Sequence, residues 1–209
     1  MRVVLATRNA GKLAELRRIL GTSAPDVELV GLDAEALAGA PAGAEVPEVP
    51  ETGRTFEENA LLKARAVAAA TGLPAVADDS GLCVDALGGM PGVLSARWAG
   101  RHGDDEANLR LVLAQLAEVP DHRRSAHFVC VAAAVVPGLG ERVAEGRLDG
   151  TLTREPRGSN GFGYDPIFVP DGERHTAAEL APADKDAISH RGRAFRALAP
   201  QLAALVTGR

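Results

Sequence analysis

Asp78 and Asp79 stand side by side at the end of the apolar run Leu73-Pro74-Ala75-Val76-Ala77, just before Ser80-Gly81. Two carboxylates this close repel each other unless a cation or a proton lies between them. Oxygen ligands alone suit Mg²⁺ or Mn²⁺ better than zinc. A short β-prone stretch that stops at Asp-Asp-Ser-Gly would present these charges where the backbone turns out of the core. The plain alternative is an Asx-rich turn capping a strand, with no ligand at all.

A second group of residues has the chemistry to hold phosphate. The chain carries 23 basic residues, and all but Lys12, Lys63 and Lys185 are Arg. Lys12 closes the polar turn Thr7-Arg8-Asn9-Ala10-Gly11-Lys12, between the apolar run Val3-Val4-Leu5-Ala6 and a helical pattern carrying Leu13, Leu16, Ile19 and Leu20 on one face. Backbone N–H groups and the positive end of a helix dipole converge at such a turn, and a Lys ammonium adds a mobile point charge. It is not a Walker A loop, because Ala6 and Leu13 occupy the places of the first Gly and the Ser or Thr. An ordinary βα turn would read the same way.

These residues need a scaffold, and the composition allows one. With 209 residues, 46% of them hydrophobic, the chain can bury a substantial core as one domain or as two lobes around a cleft. A net charge of −5 argues against a surface for long nucleic acids but not against a single nucleotide. No apolar run reaches membrane-spanning length, and the chain enters a strand without a signal-like leader, so the cytoplasm is the expected location. Cys83 and Cys130 form no Cys-x-x-Cys pattern and read as buried thiols.

Residues 33 to 54, with Pro41, Pro47 and Pro50, lack apolar periodicity and read as an acidic connection in which Glu51 is a second candidate metal ligand. Thr55-Phe56-Glu57-Glu58 fits a capping box for a helix through Leu62, Val67 and Ala70, ended by Gly72 and Pro74. A helix is expected over residues 105 to 117, with Leu109, Val112, Leu113 and Leu116 inward. A buried strand follows from Ala126 to Val136, and Pro137-Gly138-Leu139-Gly140 turns it into an antiparallel partner over Arg142 to Leu148. The sheet is therefore mixed. A last helix runs from about Arg191 through Phe195, Leu198, Leu202 and Leu205, with Ser189 as its cap.

The remaining dense constellation is Gly158-Ser159-Asn160-Gly161-Phe162-Gly163-Tyr164-Asp165, followed by Phe168. Glycine lets backbone amides approach a ligand closely, and aromatic rings stack on bases for about 1–3 kcal/mol each. The same residues would also serve as a turn whose rings anchor it to the core. Lys185 and then Ser189-His190-Arg191-Gly192 place cations near a helix start, suited to phosphate, carboxylate or the oxygen edge of a base.

Thr7 to Lys12, Glu51-Thr52-Gly53, Thr55-Phe56 with Glu58-Asn59-Ala60 and Lys63-Ala64, Ala77 to Leu82, Gly161 to Pro166, and Ser189 to Gly192 together resemble the Ham1-like inosine triphosphate pyrophosphatase family, nearly end to end. The resemblance implies an α/β fold with a mixed central sheet flanked by helices. It implies two lobes around an active-site cleft within one catalytic domain, residues 1–209, and a homodimer. The implied activity is hydrolysis of ITP, dITP and XTP to the monophosphate and pyrophosphate, which removes deaminated purines from the nucleotide pool. The implied cofactor is Mg²⁺, with Mn²⁺ as the alternative, and the implied partner is a small nucleotide rather than a nucleic acid or a membrane.

By position, Glu51 and Asp79 would ligate the metal and Asp79 would be the general base, a task Asp78 could share. Thr7, Arg8, Asn9, Ala10, Gly11 and Lys12 would hold the triphosphate; Arg8 stands where many relatives carry Gly. Ser80, Phe162, Gly163, Tyr164, Asp165, Lys185, His190 and Arg191 would contact the nucleotide. Two other classes compete. A nucleotide-binding regulator would not need three acids, and a haloacid-dehalogenase-type phosphomonoesterase would need an Asp-x-Asp pattern that Asp78-Asp79-Ser80 does not supply.

Overall fold

The computed structural model describes residues 2–7, 10–23, 27–32, 46 and 48–207. The side chains of Ala10, Gly11, Leu20, Thr22 and Ser23 fall outside that description. So do Arg8, Asn9 and most of the acidic connection. The elements are β1 (Arg2–Leu5), α1 (Ala10–Ser23), β2 (Glu28–Val30), α2 (Phe56–Thr71), β3 (Ala75–Val84), α3 (Asp105–Gln115), β4 (Ser125–Val136), β5 (Gly140–Leu152), β6 (Phe168–Pro170), α4 (Pro182–Ile188) and α5 (His190–Thr207). No described helix is long and apolar enough to cross a membrane.

Six strands form one sheet in the order β2-β1-β3-β4-β5-β6. β1 runs parallel to β2 and β3, with Val3 opposite Leu29 and Leu5 opposite Val76, whereas β5 and β6 are antiparallel, with Leu152 opposite Phe168. The expected mixed sheet is therefore observed. The described residues divide into two compact units, the first drawn from 1–79, 130–146 and 191–209 and the second from 80–129 and 147–190.

In the first unit, alternation along β1 sends Val3 and Leu5 to one face and Val4 to the other. Val3 and Leu5 join Leu16 and Ile19 of α1 and Phe195, Leu198 and Leu202 of α5, while Val4 packs with Val67 and Ala68 of α2. Thr55 caps α2 as expected, its side chain accepting from Glu58 N–H at 3.1 Å, and Gly72 ends the helix in the left-handed region at φ 67°. In the second unit, Leu82 and Val84 of β3 pack with Leu109, Val112 and Leu116 of α3, Phe128, Leu148 and Phe168. Arg124, 2% exposed, donates to the carbonyls of Leu116, Leu152 and Thr153 at 2.7, 2.9 and 2.8 Å, which ties the end of α3 to the end of β5.

Two local expectations change. β3 does not stop at Asp78-Asp79-Ser80-Gly81 but runs through it to Val84, almost wholly buried. Gly81 is not a turn residue: a Cβ there would lie 2.4 Å from both Gly92 O and Ser95 Oγ, so this strand position needs a residue without a side chain. The last helix is found where expected, as α5; the short α4 before it was not expected, and Ser189 between the two donates its N–H to Lys185 O at 2.9 Å.

Candidate active site

The continuity of β3 separates the two aspartates. Successive side chains of a strand point to opposite faces, and here each finds its own cations. Asp78 Oδ2 lies 3.4 Å from Lys12 Nζ of α1 and 3.2 Å from Arg191 Nε of α5. Asp79 Oδ2 accepts from Asn59 Nδ2 at 3.0 Å, and its Oδ1 lies 3.4 Å from Lys63 Nζ, both of α2. The acids are neighbours in sequence, with Lys12 and Arg191 beside Asp78 and Lys63 beside Asp79, although the Lys63 charge is felt at Asp78 as well.

Around Asp79, α2 does most of the positioning. Asn59 and Lys63 are four residues apart and leave the same face of the helix. Asn59 is fully buried; its Oδ1 accepts from Gly53 N–H at 2.7 Å while its amide donates to Asp79. One side chain thus ties the segment bearing Glu51 to the strand bearing Asp79. A Cβ on Gly53 would sit 2.6 Å from Asn59 Oδ1, so the close approach requires glycine. Lys63 Nζ lies 2.7 Å from Glu51 Oε1 as well as 3.4 Å from Asp79 Oδ1. Two acids from distant parts of the chain therefore converge on one cationic group.

Burial raises the Asp79 carboxyl above its ordinary range; Lys63 opposes this, and the Glu51 and Asp78 charges reinforce it. Lys63 keeps its proton more firmly than usual, because Asp79, Asp78 and Glu51 outweigh the effect of burial. At Asp78 burial also favours the neutral acid, but Lys12, Arg191 and Lys63 win and hold it well below the usual carboxylate range. Asp78 is thus a fixed anion, and Asp79 is the acid on which a proton is held more readily.

The pair Glu51 and Asp79 fits a divalent cation. Among the described residues no three His, Cys, Asp or Glu side chains gather as a metal cage. Mg²⁺ is commonly held by one or two carboxylates and completed by water and substrate phosphates. The Lys63 ammonium already marks the point where both carboxylates compensate positive charge.

Arg191 lies deeper than a surface cap would. Its side chain is 3% exposed, and Nη1 reaches Glu15 Oε2 at 3.0 Å while Nε reaches Asp78. Burial works against its charge, yet Asp78 and Glu15 raise its proton affinity above the ordinary value. Thr7, whose N–H donates to Leu5 O at 2.8 Å, follows β1, and Ala10, Gly11 and Lys12 form the first turn of α1. Cys130 is a buried free thiol held strongly protonated by burial and by Asp78.

The second unit carries the glycine-rich loop. Asp165 Oδ2 accepts from Phe162 N–H at 2.9 Å and from Lys185 Nζ at 2.5 Å. The Lys185 ammonium also lies 5.2 Å from the centroid of the Phe162 ring, which is 43% exposed. Tyr164 and Phe168 are buried instead, Tyr164 donating its hydroxyl to Ser95 O at 2.8 Å. His190 is buried and stacks on Phe128 with ring centroids 4.7 Å apart, and Ser80 is half-buried on β3. Lys185, Ser189 and His190 help line a small cavity with Phe128, Leu148 and Asp165.

Tyr164 makes this packing measurable, because it is the chain's single tyrosine. Burial, reinforced by Asp105, pushes its phenol above the ordinary value of about 10. The stability it contributes is fully present below that value and is lost as pH rises through the folded one. Tyrosinate absorbance should stay silent in the native protein where the denatured chain already ionises, and should appear together with alkaline unfolding. A native phenol that titrates at the denatured value would refute the burial.

Sequence grounds alone do not single out Glu15 or Asp105 as site residues, and they mark Asn59 and Lys63 only as parts of a motif, Lys63 also as one of three lysines. The scarcity of Lys and the spacing of Asn59 and Lys63 on one helix face are the available signals.

The first unit presents two convergent carboxylates beside a lysine and the second carries an amide-rich aromatic loop, each suited to the chemistry of a nucleotide-handling class of α/β protein. The profile of the Ham1 family matches residues 3–201, and the chain belongs to that family. A dITP/XTP pyrophosphatase of Streptomyces coelicolor is 61% identical over 199 residues, which cover 95% of this chain and 96% of that one. A protein of the same name from Nocardia farcinica is 63% identical over 208 residues, covering 98% and 96%. The crystal structure of the nucleoside-triphosphatase, or dITP/XTP pyrophosphatase, of Mycobacterium abscessus is similar with a TM-score of 0.73 at 58% identity, over 96% of this chain and 100% of that one.

Proposed function

We propose that this chain hydrolyses non-standard purine nucleoside triphosphates, ITP, dITP and XTP, to the monophosphate and pyrophosphate, with Mg²⁺ as cofactor. The observation that carries the reading is the convergence of Glu51 and Asp79 on one cationic position, in a chain so similar to proteins named for that reaction. Residues 1–209 work as one catalytic domain, in a cytoplasmic homodimer. Light scattering at twice the 21.6 kDa chain mass is the expected result for the dimer.

Cleavage between the first and second phosphates calls for a water molecule in line with the α-phosphorus and for positive charge near the leaving pyrophosphate. Glu51 and Asp79 would hold the ion, whose chemistry is to neutralise phosphate charge and lower the pKa of water. Asp79 takes the proton of the attacking water; its raised proton affinity brings it nearer the range in which a general base works at neutral pH. Lys63 keeps both carboxylates in place, and Asn59 fixes the direction of Asp79. Thr7, Arg8, Asn9, Ala10, Gly11 and Lys12 hold the triphosphate.

Ser80, Phe162, Gly163, Tyr164, Asp165, Lys185, His190 and Arg191 serve the nucleoside. A donor matched to a 6-oxo base meets the 6-amino group of adenine as a second donor, which leaves buried groups unpaired at about 1–3 kcal/mol each. A panel of ITP, XTP, dITP, GTP and ATP, with Mg²⁺ present or chelated, tests all of this together. Pyrophosphate should be released from the first three at least tenfold faster than from ATP, and chelation should abolish release. Orthophosphate as the product, or equal rates on ATP, would overturn the assignment.

A further inference from the structure

Asp104 and Asp105 are adjacent at the start of α3, but their carboxylates serve different segments. Asp104 caps the helix, its Oδ1 accepting from Ala107 N–H at 3.2 Å. Asp105 Oδ2 accepts from the N–H of Gly163 at 2.8 Å, across 58 positions of sequence. Gly163 has a φ of 62°, a backbone state that few other residues adopt.

Several hydrogen bonds hold this part of the loop, Asp165 N–H to Phe162 O at 3.3 Å among them. Phe162 N–H to Asp165 is internal to it, and Tyr164 to Ser95 anchors its buried end. The bond to Asp105 grips the peptide that follows Phe162, a residue 43% exposed whose ring lies beside the Lys185 ammonium. An exposed ring on a glycine-flanked backbone stays in one place only if that backbone is fixed, and a preformed platform spares the ordering cost on binding.

We propose that Asp105 is a positioning residue for nucleotide binding: by holding the Gly163 amide it keeps the Phe162 ring in place as a stacking platform for the purine. The inference rests on the functional reading above and assigns to that site a residue outside its motifs. Asn can accept the same hydrogen bond without charge, whereas Ala cannot, so the two substitutions separate acceptor from charge.

Amide hydrogen exchange at Gly163 in the ligand-free protein, steady-state kinetics on ITP and thermal melting decide it, for wild type, Asp105→Ala and Asp105→Asn. Asp105→Ala should speed Gly163 exchange and raise KM for ITP about three- to tenfold, with kcat within about twofold and the melting temperature nearly unchanged. Asp105→Asn should restore both exchange and KM. Unchanged exchange or KM in Asp105→Ala, an equal defect in Asp105→Asn, or a loss confined to stability would overturn the proposal. A wild-type protein that does not hydrolyse ITP would sink the functional reading and this inference with it; a working wild type beside an unaffected Asp105→Ala would sink this inference alone.

Discussion

Asp79→Asn should lower turnover of ITP by about 10²- to 10⁴-fold, the usual contribution of a positioned proton acceptor, while the protein folds at least as stably as before. The second half of this expectation comes from burial. A carboxyl whose folded proton affinity is raised contributes stability below its unfolded pKa and loses it as pH rises through the folded one. At neutral pH its ionised form is a cost that the amide removes, and the carbonyl oxygen of the substituted side chain would still accept from Asn59. Thermal melting in chelator at pH 7, paired with pyrophosphate release in Mg²⁺, reads both effects. Near-normal turnover would remove Asp79 from the mechanism, and a collapsed fold would show that its charge is structural.

Arg191→Ala should behave in the opposite way, as a stability defect first. It leaves Asp78 Oδ2 and the buried Glu15 Oε2 without their guanidinium. Removing one partner from a buried ionic cluster costs about 3–5 kcal/mol, which for a chain of this size lowers the melting temperature on the order of 10 °C. The effect should be smaller in Arg191→Ala with Asp78→Asn and Glu15→Gln together, because the orphaned charges are then gone. A single substitution that leaves the melting curve unchanged would show that the cluster is not held through Arg191. Any direct contact of Arg191 with a nucleotide must be made from within this cluster.

Much of the fold was legible because its signals are local. Thr55 and Glu58 announce α2, Leu109, Val112 and Leu116 announce α3, and the turn at Pro137 with the alternation after it announces a mixed sheet. The length of β3 was hidden, because Asp78, Asp79 and Gly81 look like a turn until the cations of α1, α2 and α5 and the close packing against Ser95 are known. Such compensation comes from tertiary structure, which no short window of sequence contains. The candidate site was legible as residue types: Glu51, Asp79, Lys12 and the Phe162 loop were all singled out. Which acid faces which cation, and the tie made by Asn59, depend on strand alternation and helix phase and had to be seen.

The division of labour on β3 bears on how this chain tolerates change in length. Inserting or deleting one residue between Ala75 and Asp78 would rotate every later side chain to the opposite surface, handing Asp78 to α2 and Asp79 to the guanidinium. Both acids would remain in the sequence, yet each would face the other's partners. Homologous chains should therefore vary freely in length within the acidic connection before Glu51 and keep a constant spacing from Ala75 to Asp79.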